Sequence, residues 1–128
     1  MLDPSHPAAG CRKFFSAAML WCAAWPATGS EGSTTLLEKD IRPILKAHCF
    51  HCHGENNERN GGLDVRLRRF LKQGGDSGPA IVPGDPANSH LVQLLKAGEM
   101  PQGKPRLAEA QIALIEQWIA ADAPTARP

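Results

Sequence analysis

The feature that most constrains this chain is the pentapeptide Cys49-Phe50-His51-Cys52-His53, which has the form C-x-x-C-H. Two thiols three positions apart on one turn can add to the two vinyl groups on one edge of a porphyrin. The histidine that follows then lies under the iron and can donate a ring nitrogen as an axial ligand. The spacing therefore predicts one covalent haem c per chain, attached through Cys49 and Cys52, with His53 as the proximal ligand.

Residues 1–29 have the pattern of an export signal. Arg12 and Lys13 are followed by an apolar run, 14–25, and then by the small residues Ala27 and Gly29. The run is shorter than the roughly 20 residues that span a bilayer. We therefore predict a cleaved signal, a short linker at 30–34, and a mature protein that is periplasmic or otherwise extracytoplasmic. The alternative is an uncleaved segment that keeps the protein at a membrane.

Met100 is the predicted sixth ligand of the iron, because removal of the signal leaves no other methionine in the chain. Pro101 restricts the backbone of Met100 to an extended form, which suits a loop that crosses the far face of a porphyrin. A His/Met pair raises the reduction potential. Two alternatives stay open: Met100 is a packing residue, or His90 is the ligand. His48 and His51 are expected to point away from the iron.

The histidines and cysteines at 48–53 have two further interpretations. A zinc site needs four ligands from two separated pairs, but here only His90 is available at a distance. A redox-active C-x-x-C of the thioredoxin type expects a strand–helix junction in an α/β pattern, and no such pattern surrounds this one.

The apolar periodicity predicts a small all-α domain with long loops. Thr35 and Glu38 are placed as a capping box for the first helix, and Pro43 is expected to kink the helix or tighten a turn. Loops this long are unusual in a helical bundle, and a cofactor that packs against them would account for their length. The predicted helical segments are residues 35–47, a turn within 63–73 that ends at Gly74, a helix from Asp85-Pro86 to Gly98, and residues 108–121.

Six motifs in this order resemble the planctomycete-type cytochrome c domain of the class I cytochrome c group, over about residues 35–123. That range leaves residues 124–128 as a tail. The motifs are Ile41-Arg42-Pro43-Ile44-Leu45, residues 49–54, Gly61-Gly62-Leu63, residues 74–84, Met100-Pro101 with Gly103-Lys104-Pro105, and Trp118-Ile119.

The resemblance implies a class I cytochrome c fold, in which the first and last helices cross and help to close the haem pocket. It implies His53 and Met100 as axial ligands, and it implies that the carbonyl of Pro79 accepts a hydrogen bond from His53, a contact that would fix the ring orientation. One departure is Ala108, where the family often has Ser or Thr as a helix cap. That change costs about 1 kcal/mol.

The function predicted from these features is single-electron transfer between redox partner proteins, without catalysis. The alternative is a haem subunit that senses or reacts with a small ligand through a displaceable sixth ligand. A net charge of +1 does not indicate a nucleic-acid surface. Trp118 is expected in the core, with contact to the haem as the alternative. The basic run Arg66, Arg68, Arg69 and Lys72 is expected to be solvated, and the alternatives are an acidic partner or the haem propionates.

Overall fold

The architecture is taken from a computed structural model that describes residues 33–127, so the predicted export signal lies outside the described residues. A π-helical turn, Leu37–Ile41, continues directly into helix α1 (Arg42–His48). Helices α2 (Arg68–Gln73), α3 (His90–Ala97) and α4 (Glu109–Ala120) follow, with a short 3₁₀ turn at Asn60–Gly62. Residues 33–127 contain no β-strand, which agrees with the all-α prediction. In the same range no helix has the length and apolar character to cross a membrane.

The first helix begins with π-helical geometry and continues with α-helical geometry. Ile41 N–H donates to the carbonyl of Leu36, five residues back, at 3.4 Å. Pro43, which has no N–H, lies in the first turn of α1, where the ring is tolerated. The irregularity predicted at Pro43 is this change from π to α geometry. The capping box predicted from Thr35 is wrong, because the Asp40 carboxylate accepts the N–H of Leu36 instead, at 2.8 Å.

Helix α3 begins later than the Asp85-Pro86 pair predicts. The Asp85 carboxylate accepts the backbone N–H of Asn88 at 3.1 Å, which closes a turn ahead of the helix. The buried Ser89 hydroxyl then donates to the Asp85 carbonyl at 2.8 Å. The Asp85-Pro86 pair, which was predicted to begin the helix, therefore lies in a turn, and the helix itself begins at His90.

The core lies where α4 meets the first helix on one side and α3 on the other. Trp118 is fully buried, and its indole N–H donates to the carbonyl of Pro124 at 2.9 Å. The same carbonyl accepts the N–H of Leu37 at 3.1 Å, which ties the end of α4 to the start of the first helix. The other buried side chains of these helices are Leu37, Ile41, Ile44, Leu45, Leu91, Val92, Leu95, Ile112, Ile115 and Ile119.

Candidate cofactor site

The C-x-x-C-H pentapeptide forms hydrogen-bonded turns that follow directly from the end of α1 at His48. Cys49 N–H donates to Leu45 O at 2.7 Å, which joins the first of these turns to the helix. Cys52 N–H donates to Cys49 O at 3.2 Å, and His53 N–H donates to the same carbonyl at 3.0 Å. Cys49 and Cys52 are free thiols, and both are half-buried. The turn places the two thiols and His53 on one side, as haem attachment requires.

The segment after the 3₁₀ turn is hydrogen-bonded to the attachment turn. Val65 N–H donates to His53 O at 3.0 Å. Asp64 is 4% exposed, and its carboxylate accepts Arg66 Nε at 3.0 Å and Arg66 Nη2 at 2.7 Å. Those hydrogen bonds lower the pKa of the Asp64 carboxyl. The Arg66 side chain passes so close to Gly54 that a Cβ there would lie 2.8 Å from it.

A cavity of about 350 Å³ opens beside the turn, within the size range of small-molecule and cofactor sites. Its walls are mostly apolar, as a porphyrin face requires. The walls come from the attachment turn, the segment at 60–65, the glycine-rich segment at 75–80, one side of α3 and the loop at 100–104. Its lining residues include Cys49, Cys52, His53, Leu63, Val65, Leu91, Leu94, Leu95 and Met100.

The loop that carries Met100 is fastened at both ends. Arg106 Nη2 donates to the carbonyl of Lys96 at 2.8 Å, and the guanidinium lies over Gly98, where a Cβ would be 2.7 Å from Arg106 Cζ. Leu107 is 5% exposed and joins the core. Met100 is half-buried against the same core. A loop anchored in this way can hold a thioether at the cavity.

The histidines predicted from the sequence separate into two groups. His53, His90 and His48 all line the cavity, whereas His51 is exposed and does not line it. Both candidates for the sixth ligand, Met100 and His90, line the cavity that His53 also lines. The choice between Met100 and His90 stays a prediction.

The hydrogen bond predicted between His53 and Pro79 is absent from residues 33–127. His53 Nδ1 is buried without a hydrogen-bond partner there. Pro79 itself does not line the cavity, although its neighbours Gly78 and Ala80 do. The role of Pro79 stays a prediction from the resemblance.

Sequence reasoning missed most of the polar lining. Asn60, Gln102 and Lys104 all lie on the cavity wall. Burial raises the pKa of the Cys49 thiol to about 11, and the positive charge of Lys104 opposes that rise. The Gly103-Lys104-Pro105 motif was the signal that could have found Lys104. The basic run Arg66, Arg68, Arg69 and Lys72 does not line this cavity.

The residues present fit a covalent haem. The cavity brings together two free thiols, apolar walls and an imidazole whose buried Nδ1 lacks a partner. The zinc interpretation finds no equivalent support, because no three His, Cys, Asp or Glu side chains group closely enough to hold a metal ion within the described range.

Comparison with known proteins agrees with this fit. Residues 49–102 match the family model described as Planctomycete cytochrome C, which confirms the resemblance found in the sequence. The matched segment runs from the first attachment cysteine to just past Met100 and takes in most of the cavity wall. It indicates a haem-binding cytochrome domain, and the family implies covalent haem c. Searches among curated proteins and among solved structures give no match.

Proposed function

We propose that the protein is an exported monohaem c-type cytochrome with a class I fold, and that it carries single electrons between redox partner proteins. When bound, the haem supplies a one-electron Fe(III)/Fe(II) couple. The chain supplies attachment, axial ligands and an apolar pocket, so it acts as a carrier and not as an enzyme. The export signal at 1–29 would deliver it to the periplasm or another extracytoplasmic compartment.

Each site residue has a distinct role in this proposal. Cys49 and Cys52 anchor the porphyrin edge, because both thiols lie on the cavity wall three positions apart. His53 would hold the iron through one ring nitrogen. Met100 would hold it through its thioether, a ligand that favours Fe(II). Leu94, on α3, belongs to the apolar part of the cavity wall.

The observation that carries the proposal is the shared cavity. The attachment turn and the loop that carries Met100 are nearly 50 positions apart in the sequence. Both nevertheless line one apolar pocket, the turn with His53 and the loop with Met100. The anchoring of the loop by Arg106 supports Met100 over His90, because an anchored loop can keep a soft ligand in place.

Met100→Ala in the holoprotein tests the proposal. Haem should stay attached through acid–acetone extraction, because both thiols and His53 are untouched. The far-red absorption band of a ferric iron–thioether bond should disappear, and the reduction potential should fall. The ferrous protein should also gain rapid binding of carbon monoxide.

His90→Ala is the matched control, since it removes the other candidate ligand from the same wall. It should leave the far-red band and the potential unchanged. If His90→Ala loses them and Met100→Ala keeps them, the sixth ligand is His90. Rapid carbon monoxide binding by the unaltered ferrous protein would instead support the small-ligand sensor.

A further inference from the structure

A second, open groove lies behind the attachment turn. It shares no lining residue with the cofactor cavity, so a molecule in the groove would leave the cofactor pocket untouched. Its six lining residues comprise three arginines, two phenylalanines and a leucine: Arg42, Phe50, Arg66, Leu67, Arg69 and Phe70. Among residues 33–127, no carboxylate lines this groove.

Two of the three guanidinium groups have no counter-ion. Arg42 Nη2 donates to the carbonyl of Arg66 at 3.3 Å, while Arg42 Nε is buried without a partner in the part of the chain that the structure describes. Arg69 lies over the Phe70 ring, with its Cζ 4.7 Å from the ring centre. Neither arginine has a carboxylate oxygen within 4.0 Å among residues 33–127.

The third guanidinium is already paired. The Asp64 carboxylate accepts hydrogen bonds from the backbone N–H, Nε and Nη2 of Arg66 and fixes the position of Arg66 at the edge of the groove. The groove therefore presents two uncompensated cations beside an aromatic floor, with a rigid third arginine next to them. Carboxylates can form charge-assisted hydrogen bonds to such guanidinium groups. An apolar side chain next to those carboxylates would cover the phenylalanine rings.

Phe50 connects the groove to the redox site. It is the first of the two residues between the attachment cysteines, and it is 8% exposed. Its carbonyl accepts the N–H of His53 at 3.2 Å. Phe50 is therefore bonded covalently to Cys49 and hydrogen-bonded to His53, so a molecule bound against Phe50 would lie next to the residues that hold the haem.

We propose that this arginine groove is the docking surface for an acidic, partly apolar segment of a redox partner protein. The inference rests on the proposed function: one electron passes between the partner and the iron, and no bond forms or breaks. A polyanion such as nucleic acid fits less well, because the chain carries a net charge of only +1. The groove offers two open charges and an apolar floor, which matches a short acidic segment.

The first test measures binding by the holoprotein of a short peptide that contains four glutamates around one phenylalanine. Arg42→Gln and Arg69→Gln should each weaken binding about threefold, and the double variant about tenfold, as expected for partly exposed ion pairs. Lys46→Gln is the matched control, because it removes one exposed positive charge from α1 outside the groove. Its affinity should stay within the experimental error of the unaltered protein.

The second test measures the rate at which the ferrous protein gives one electron to hexacyanoferrate(III), an anion, at low salt. Arg69→Gln should slow this reaction more than Lys46→Gln does, and high salt should remove the difference. Oxidation by a cationic cobalt complex should not be slowed by Arg69→Gln.

Three results would overturn the docking proposal. One is equal loss of peptide binding in Arg69→Gln and Lys46→Gln. Another is weakened peptide binding in Arg69→Gln with no change in its rate relative to Lys46→Gln, because the groove would then lie off the electron route. The last is tighter binding of a single-stranded oligonucleotide than of the peptide at physiological salt. If the chain lacks covalent haem, the proposed function is wrong. The peptide titration would still show whether the groove binds the acidic peptide.

Discussion

Replacement of Trp118 tests how the core supports the cofactor site. The indole is fully buried, and its N–H donates to Pro124 O at 2.9 Å. That carbonyl also accepts Leu37 N–H at 3.1 Å, so one acceptor joins the end of α4 to the start of the first helix. Trp118→Phe removes the indole hydrogen bond and keeps an aromatic ring. Pro124 O stays paired with Leu37, so the variant leaves no buried carbonyl unsatisfied.

The expected size follows from two contributions. The lost hydrogen bond costs about 1 kcal/mol, since its acceptor keeps a partner. The smaller ring leaves part of the indole volume empty, which adds up to about 1 kcal/mol more. Trp118→Phe should therefore lower the free energy of unfolding by about 1–2 kcal/mol. Trp118→Ala should lower it by about 3–5 kcal/mol. In a domain of this size each kcal/mol corresponds to a shift in Tm of about 4–8 °C.

Thermal and urea unfolding of the holoprotein, followed by circular dichroism, measures these losses. Trp118 does not line the cofactor cavity, so the absorption spectrum and the reduction potential of Trp118→Phe should match those of the unaltered protein. Leu95→Ala is the control, because Leu95 is equally buried but does line the cavity and should change both stability and spectrum. An unchanged Tm in Trp118→Phe would refute the hydrogen-bond argument. A shift in potential as large as that of Leu95→Ala would refute the separation of Trp118 from the haem.

Three further outcomes are expected. Burial raises the Cys49 pKa from 9.0 to about 11. The haem-free chain should therefore lose about 3 kcal/mol of stability in all as pH rises through that window. In urea titrations, Cys49→Ser and the thioether-linked holoprotein should lack this loss. Asp64 has a lowered pKa because of its hydrogen bonds to Arg66, so its contribution is present above its ordinary pKa of 3.8 and disappears as pH falls below that value. Asp64→Asn should be less stable at neutral pH and should show a flatter acid limb of the stability curve, whereas equal acid limbs would contradict the assignment. Gly54→Ala, at φ +147 and against Arg66, should cost more stability than Gly103→Ala, at φ +67 with open space around it; equal unfolding midpoints would show that Arg66 moves aside freely.

The sequence predicted those parts of the molecule that local geometry determines. The attachment turn depends on spacing within five residues, and the cavity that Cys49, Cys52 and His53 line together is consistent with that spacing. The last helix follows an unbroken apolar period, and its observed bounds differ from the predicted ones by one residue at each end. Asp85-Pro86 was misread because the same pair starts both turns and helices. The choice here depends on Ser89, whose buried hydroxyl bonds back to the Asp85 carbonyl.

Tertiary placement explains what the sequence could not supply. Thr35 and Glu38 look like a capping box in isolation, but the Glu38 carboxylate accepts the N–H of Ala126, and Asp40 accepts the N–H of Leu36. The basic run at 66–72 looks like an ordinary solvated face until Arg42 and Phe50 are brought beside Arg66 and Arg69. Arg42 and Phe50 lie 16 to 27 positions from Arg66 and Arg69 in the sequence, and no local pattern encodes this proximity.

The attachment turn serves two surfaces. Cys49, Cys52 and His53, at positions i, i+3 and i+4, all line the cofactor cavity. The same geometry sends the two intervening residues elsewhere. His51 is exposed, and Phe50 forms the floor of the arginine groove. Haem attachment leaves both of these positions free in chemical type. Phe50 is 8% exposed and packs in the hydrophobic core, and it also lines the arginine groove, so this residue connects the attachment turn to the docking surface that we propose.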